Sequence, residues 1–305
     1  MRKAQEPKRV TIVGGNGLMG RFLAGRLRHF GHEVRPFGRR DWERADAFFA
    51  DADLAIVGVP IDRTREVMER LAPFLGGRVP LADITSLKAP YVRAMLELHP
   101  GPVLGLHPMF GPGVKSFLSQ RVIACEGRMT DRFAWFLRLI EEDGGKVVWA
   151  TPEEHDRMMT IVQAVRHFAA VALGFFMSRE KVDLGKSLEF ASPVYRLELD
   201  IVGRLFAQDP ALYADIMLAT PERREAIGRM ARTCVELAEI VARGDRPGLI
   251  EKFESAQRFF GAEAARSLEE SGYLIDVLSE RLAGRPCPGH ARRAKGKDGH
   301  GDPVE

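Results

Sequence analysis

The chain has little cysteine, little uncompensated charge and no long apolar run. Its three cysteines among 305 residues, Cys125, Cys234 and Cys287, are far apart and lack a C-x-x-C spacing. That pattern argues against a disulfide framework or a zinc site, and it suits a reducing cytoplasm. Forty-five Lys and Arg face 42 Asp and Glu, a net charge of +3, and no basic stripe with interleaved aromatics is visible. No nucleic-acid partner is therefore expected. Nowhere do about 18 apolar residues run uninterrupted, and the charged segment Met1 to Arg9 lacks an apolar h-region. Neither export nor a membrane span is expected. No internal repeat is apparent. What is present is 45% hydrophobic and 29% charged residues, the balance of a globular protein. At about 150 residues per domain, the length allows roughly two domains.

From Arg9 to Ala150, short β-rich apolar runs alternate with helical patterns, the rhythm of a parallel sheet covered on both faces. The runs predict strands at Arg9 to Val13, Glu33 to Phe37, Leu54 to Val59, Val79 to Asp83, Val103 to Leu106, Val122 to Cys125 and Lys146 to Ala150. After Thr151 the apolar period becomes three to four residues and glycine is sparse, which predicts helices throughout. Thr220 and Pro221 suit the start of one long helix and Gly244 its stop, about six turns on. The expected architecture is an α/β Rossmann-type doubly wound parallel sheet followed by an all-helical domain. Residues 1–151 form the first, residues 152–283 the second, and residues 284–305 a basic tail expected to be disordered.

The first strand runs into Gly14-Gly15-Asn16-Gly17-Leu18-Met19-Gly20 and then an amphipathic helix, a G-x-G-x-x-G turn in its proper setting. Gly15 permits the tight turn, Gly17 lets the backbone approach a pyrophosphate, and Gly20 lets the helix pack closely. Asn16, Leu18 and Met19 complete the turn, where free N–H groups favour phosphate charge. Val59 and Pro60, at the end of the third strand, join this cofactor-binding set. The second strand ends Phe37-Gly38-Arg39-Arg40-Asp41, with Gly38 where an acid normally meets the adenine ribose. Arg39 and Arg40 suit a ribose 2′-phosphate and hence NADP. Equally, they are a solvated pair, with Asp41 serving as the acid for NAD.

Leu104-Gly105-Leu106-His107-Pro108-Met109-Phe110-Gly111-Pro112 contains the H-P-M-F-G-P motif and resembles the prephenate dehydrogenases. The same family is matched at Asp83 to Lys88, Glu154-His155-Asp156, Gln163 to Phe168, Tyr195 to Leu199 and Val202 to Pro210. The resemblance, strongest to the dehydrogenase part of enteric chorismate mutase/prephenate dehydrogenase, runs from about Arg9 to Leu282. No mutase activity is expected, since no mutase domain could precede Arg9. The family implies oxidative decarboxylation of prephenate to 4-hydroxyphenylpyruvate in tyrosine biosynthesis, with hydride passing to NAD or NADP.

The resemblance makes His107 the base that takes the hydroxyl proton, a role suited to neutral imidazole; alone, it would read as a structural loop residue. Ser86 is placed beside that His and the nicotinamide, and Lys88 near the substrate. Their alternative is a helix N-cap followed by a surface lysine. Arg204, in the apolar setting Ile201 to Phe206, needs an anionic partner if buried: a prephenate carboxylate by resemblance, or Glu198 or Asp200 in an internal ion pair. Gln163 and His167 share a helix face that lines the substrate pocket in the family, although His167 also fits a satisfied core position. Glu154 to Asp156 are read as helix-start or interdomain contacts, and no metal is expected.

Arogenate and 4-amino-4-deoxyprephenate differ from prephenate by an amine and would need most of the same contacts. A dinucleotide-dependent sensor without chemistry is the alternative of another class, marked by loss of the His or Arg that this chain retains. Family members interlock their helical halves, so a homodimer through the helical domain is expected.

Overall fold

The computed structural model describes residues 6–284. The expectation of a disordered tail, and Cys287 with it, falls outside these residues beyond Gly284. Seven strands, β1 (Arg9–Val13), β2 (Glu33–Phe37), β3 (Leu54–Val57), β4 (Leu81–Asp83), β5 (Val103–Pro108), β6 (Arg121–Arg128) and β7 (Lys146–Ala150), form one sheet in the order β2-β1-β3-β4-β5-β6-β7. β1 to β5 are parallel, whereas β6 runs antiparallel to β5 and β7 follows β6. The parallel expectation is corrected at that pair. Residues 109–120 contain no crossover helix to carry the chain back, so it re-enters the sheet at the end it left.

Five helices, α1 (Leu18–His29), α2 (Ala45–Phe49), α3 (Thr64–Leu75), α4 (Ala89–Leu98) and α5 (Ala134–Glu142), cover the sheet. Successive strand residues point to opposite faces, and β3 is apolar at every position. Leu54 and Ile56 therefore join one core with Leu23 and Leu27 of α1 and Phe136 and Ile140 of α5. Ala55 and Val57 join a second with Phe49, Met68, Leu71 and Met95 of α2 to α4. This two-sided burial holds the β-strand ends, and the loops that follow them, in fixed positions.

No strand follows Ala150 among the described residues. The helices there are α6 (Pro152–Met159), a π-helical turn at Thr160–Val165, α7 (Arg166–Arg179), α8 (Leu184–Glu189), α9 (Pro193–Phe206), α10 (Pro210–Leu218), α11 (Pro221–Ala242), α12 (Arg246–Phe260) and α13 (Ala262–Ala283). α11 starts and stops as its caps predict. Thr220 Oγ1 accepts from the Arg223 N–H at 3.3 Å, and Gly244 adopts φ +66°.

Contacts divide the chain into two compact units. One comprises residues up to Phe168 together with Asp209–Arg229, and the other Ala169–Gln208 with the residues from Met230 onward. The sheet-bearing unit thus takes in α6, the π-helical turn and α10. In the second unit α12 and α13 contribute no buried residue, and Phe253, Phe259, Leu268 and Tyr273 are exposed.

The helical run Pro152–Arg179 is long and apolar enough, by length and composition alone, to cross a membrane. Polar residues sit within it at Gln163, Arg166 and His167, so no stretch is uninterrupted in the sense applied to the sequence. Its first turns are bonded into the sheet-bearing unit through His155 and Asp156.

Candidate active site

The dinucleotide cradle is built from backbone. Gly14, at φ +84°, makes the left-handed step, and a Cβ there would lie 2.3 Å from the Gly58 carbonyl oxygen. The tight turn assigned to Gly15 thus belongs to Gly14. Gly15 is needed for space, since its Cβ would fall 2.8 Å from Pro36 Cα on β2. Gly20 lets α1 close onto the turn, where a Cβ would sit 2.5 Å from the Gly14 oxygen. No side chain caps the N-terminus of α1 at Gly17, and its first turn carries no acid. The N–H groups beside Leu18 and Met19 can therefore face an anion. Val59 reaches the same turn, its Cγ1 3.3 Å from a Cβ placed on Gly14, while Pro60 is exposed just beyond. A nucleotide's pyrophosphate suits this cradle, because the uncapped N–H groups of the first turn of α1 meet no side-chain cap and no acid.

Across the C-terminal edge of the same sheet, three side chains from two elements form a chain of hydrogen bonds. His107, on β5, is 3% exposed, and its Nδ1 lies 2.8 Å from His155 Nε2 of α6. His155 Nδ1 lies 2.8 Å from Asp156 Oδ1. Asp156 also accepts from the backbone N–H groups of Lys88 and Ala89, both at 2.9 Å. Burial opposes the Asp156 charge, but the His155 bond and these two N–H donors overcome it and hold its pKa below the ordinary carboxylate value.

A carboxylate only accepts, so His155 Nδ1 carries the proton and His155 Nε2 has a free lone pair. His107 Nδ1–H then donates to that lone pair, and His107 Nε2 is left unprotonated. The tautomer of the buried base is set from two residues away. Gln163 Nε2, on the π-helical turn, lies 3.2 Å from this lone pair and donates to it. Gln163 Oε1 is buried with no hydrogen-bond partner, an open acceptor beside the base. Burial and then the neighbouring His155, Lys88 and Arg223 hold the His107 pKa well below the 6.5 of a free imidazole. The ring is neutral at pH 7.

Two family models match the chain: the nucleotide-binding domain of prephenate dehydrogenase over residues 40–149, and its dimerization domain over residues 151–255. The chain belongs to the prephenate dehydrogenase family. The "T-protein" of Haemophilus influenzae is 40% identical over 276 residues, spanning 90% of this chain and 73% of that protein. Two solved structures share the fold. A prephenate dehydrogenase from A. aeolicus in complex with hydroxyphenyl propionate and NAD+ has TM-score 0.67 and 21% identity, covering 84% of this chain and 98% of that one. Synechocystis arogenate dehydrogenase has TM-score 0.59 and 19% identity, covering 82% and 97%.

Within this prephenate dehydrogenase chain the expected residues separate. Ser86 follows β4 and is half-buried, and Lys88 is the N-cap residue of α4, with no cap from its own side chain. The helix N-cap reading of Ser86 therefore fails: Asp156, distant in sequence, supplies the cap. Lys88, expected at the substrate, is fully buried. Its Nζ pairs with Asp83 and donates to the Leu106 carbonyl at 2.8 Å, just before His107. Its aliphatic stem follows the loop inward because Asp83, itself fully buried, needs a counter-charge. Lys88→Met would leave that carboxylate unpaired and is expected to cost roughly 3–5 kcal/mol of stability, read as a lower denaturant midpoint. An unchanged midpoint with a raised KM would return Lys88 to the substrate.

Arg204 is exposed on α9 and, among the described residues, pairs with neither Glu198 nor Asp200. Its apolar neighbours Val202 and Leu205 turn inward on the helix while Arg204 turns out, so burial does not demand an anion there. His167 is half-buried with its ring 4.8 Å from Tyr213, edge to face. Burial, with Arg166 and Arg223 nearby, pushes its pKa down to about 4, so it too is neutral at pH 7. His155 and Asp156, read from sequence as helix-start or interdomain contacts, are part of the site. Their place in the family-matching stretch Glu154-His155-Asp156 is the signal the sequence offers for them.

Proposed function

We propose that the chain catalyses oxidative decarboxylation of prephenate to 4-hydroxyphenylpyruvate. The observation that carries this reading is the Asp156–His155–His107 chain, which leaves a neutral, buried imidazole with its lone pair free on Nε2. That atom accepts the proton of the substrate's 4-hydroxyl as the C4–H bond breaks and C4 becomes carbonyl-like. The bond from C1 to the ring carboxylate then breaks, carbon dioxide leaves, and its electron pair completes the aromatic ring; the phenolate oxygen left at C4 regains one proton from the His107 imidazolium. When bound, the nicotinamide coenzyme supplies the hydride acceptor. Gln163 Nε2 occupies the lone pair until substrate arrives and yields it to the hydroxyl. Ser86 sits on the loop after β4, where ligands of parallel sheets bind.

Arg204 is the residue we assign to a prephenate carboxylate. Its support is the family motif and its open guanidinium, and Arg204→Ala should raise KM for prephenate at least tenfold with little change in kcat. NADP is supported by Arg39 and Arg40, exposed on a turn in which Asp41 Oδ2 accepts from the Gly38 N–H at 2.8 Å. NAD remains the alternative through that carboxylate. The bare apolar residues of α12 and α13 support a homodimer through the helical half. The wide spacing of the three cysteines in the sequence suits a cytoplasmic enzyme. Reduction followed at 340 nm, with prephenate and arogenate each offered with NAD and NADP, tests the whole reading. Prephenate-dependent reduction supports it, faster turnover of arogenate moves the substrate assignment, and nucleotide binding without reduction by either substrate indicates a sensor.

A further inference from the structure

Arg223, in the first turn of α11, has no solvent exposure. Its Nη1 donates to the Ile216 carbonyl at 2.9 Å and its Nη2 to the Ser86 carbonyl at 3.2 Å. Its Nε has no hydrogen-bond partner, and no carboxylate lies within ion-pair distance among the described residues. A guanidinium in this state is expensive to bury, and an apolar side chain of similar volume would pack more stably. Its two bonds join distant pieces of the site. Ile216 lies on α10, close in sequence, whereas Ser86 lies 137 positions away on the loop between β4 and α4.

The charges around His107 come from several elements. Lys88, before α4, is matched by Asp83 of β4. Asp156, on α6, is held by His155 and two backbone N–H groups. Arg166 and His167 stand on α7. Arg223 is the buried cation of this set with no acid bonded to it. Its field lowers the pKa of His107, His155 and His167 alike, after burial.

We propose that Arg223 is a positioning residue for the dehydrogenase reaction: one guanidinium clamps the Ser86 loop against α10 and α11 and sets its charge beside the imidazoles that serve as base and support. This rests on His107 being the base. Lysine at this position keeps the charge but cannot span two carbonyls, and glutamine keeps neither. In Arg223→Lys, kcat/KM for prephenate should fall roughly 10- to 100-fold through misplacement, with the acid limb of kcat unmoved. In Arg223→Gln the acid limb should also move to higher pH, because removing a neighbouring cation makes His107 easier to protonate.

NMR titration of the His107 imidazole reads that shift without turnover, so it holds even if the chemistry is assigned wrongly. His107→Asn retaining full turnover would sink the base assignment separately. Thermal melts and nucleotide fluorescence confirm folded variants. If the glutamine variant does not fold, the size- and charge-matched lysine variant decides alone. Wild-type kcat/KM in a folded Arg223→Lys, or an unmoved His107 titration in a folded Arg223→Gln, overturns the proposal.

Discussion

Replacing His107 by Asn is expected to lower kcat by about two to four orders of magnitude, the usual worth of a general base, while nucleotide affinity stays unchanged. Asparagine can occupy much of the ring's volume and still donate to His155 Nε2, but it offers no basic lone pair to the 4-hydroxyl. The cradle at Gly14 to Gly20 is made of backbone on β1 and α1, so nothing in the substitution reaches it. Stopped-flow or steady-state rates with saturating prephenate, together with nucleotide titration by fluorescence, provide both readouts. A variant within threefold of the parent would remove His107 from the chemistry and leave the hydrogen-bond chain behind it as a structural feature.

Asp156→Asn should have an effect of similar size without touching any reacting atom, with kcat reduced by roughly two orders of magnitude or more. An asparagine amide can turn its NH2 toward His155 Nδ1, which must then accept. The remaining proton moves to His155 Nε2, that nitrogen donates to His107 Nδ1, and the proton of His107 is forced onto Nε2, where the substrate's hydroxyl needs a lone pair. The base is still present but in the wrong tautomer. Part of the loss would be structural, since Asp156 also accepts from the Lys88 and Ala89 N–H groups. The pattern of 15N shifts of His107 separates the two: a tautomer switch exchanges the character of Nδ1 and Nε2, whereas simple loosening of α4 does not. A variant with parental kcat would show that the tautomer is set some other way.

What is legible in the sequence and what is not divide along a physical line. All seven strands lie where the β-rich runs put them, and the long helix from Pro221 ends just before Gly244. Patterning of this kind is local: a buried strand announces itself in four to six neighbouring residues, and a helix start in three. The glycine turn was also legible, although the left-handed step fell on Gly14 rather than Gly15, because only the backbone angles distinguish two adjacent glycines. The direction of β6 was not, since strand order and polarity depend on where the intervening chain travels.

The site followed the same division. His107 stood out because its motif is contiguous. His155 and Asp156 did not, because their partners lie 48 and 68 positions away. Lys88 reads in sequence as a surface or substrate residue, and only folding shows that the fully buried Asp83 pairs with it. The apolar neighbours of Arg204 raise the question of a buried partner for it, and its helix turns it outward. Nothing in the sequence around Arg223 distinguishes it from the many arginines of an exposed helix.

Read unfolded, the order of residues specifies the elements, the glycine turn and the kind of chemistry, because each depends on side chains a few positions apart. Which nitrogen of His107 carries a proton, which lysine is sealed beneath the loop, and which arginine lies beside the base were settled by folding. Each depends on a hydrogen bond or an ion pair formed across the packed interior, where low dielectric and the exclusion of water give a single contact its decisive weight.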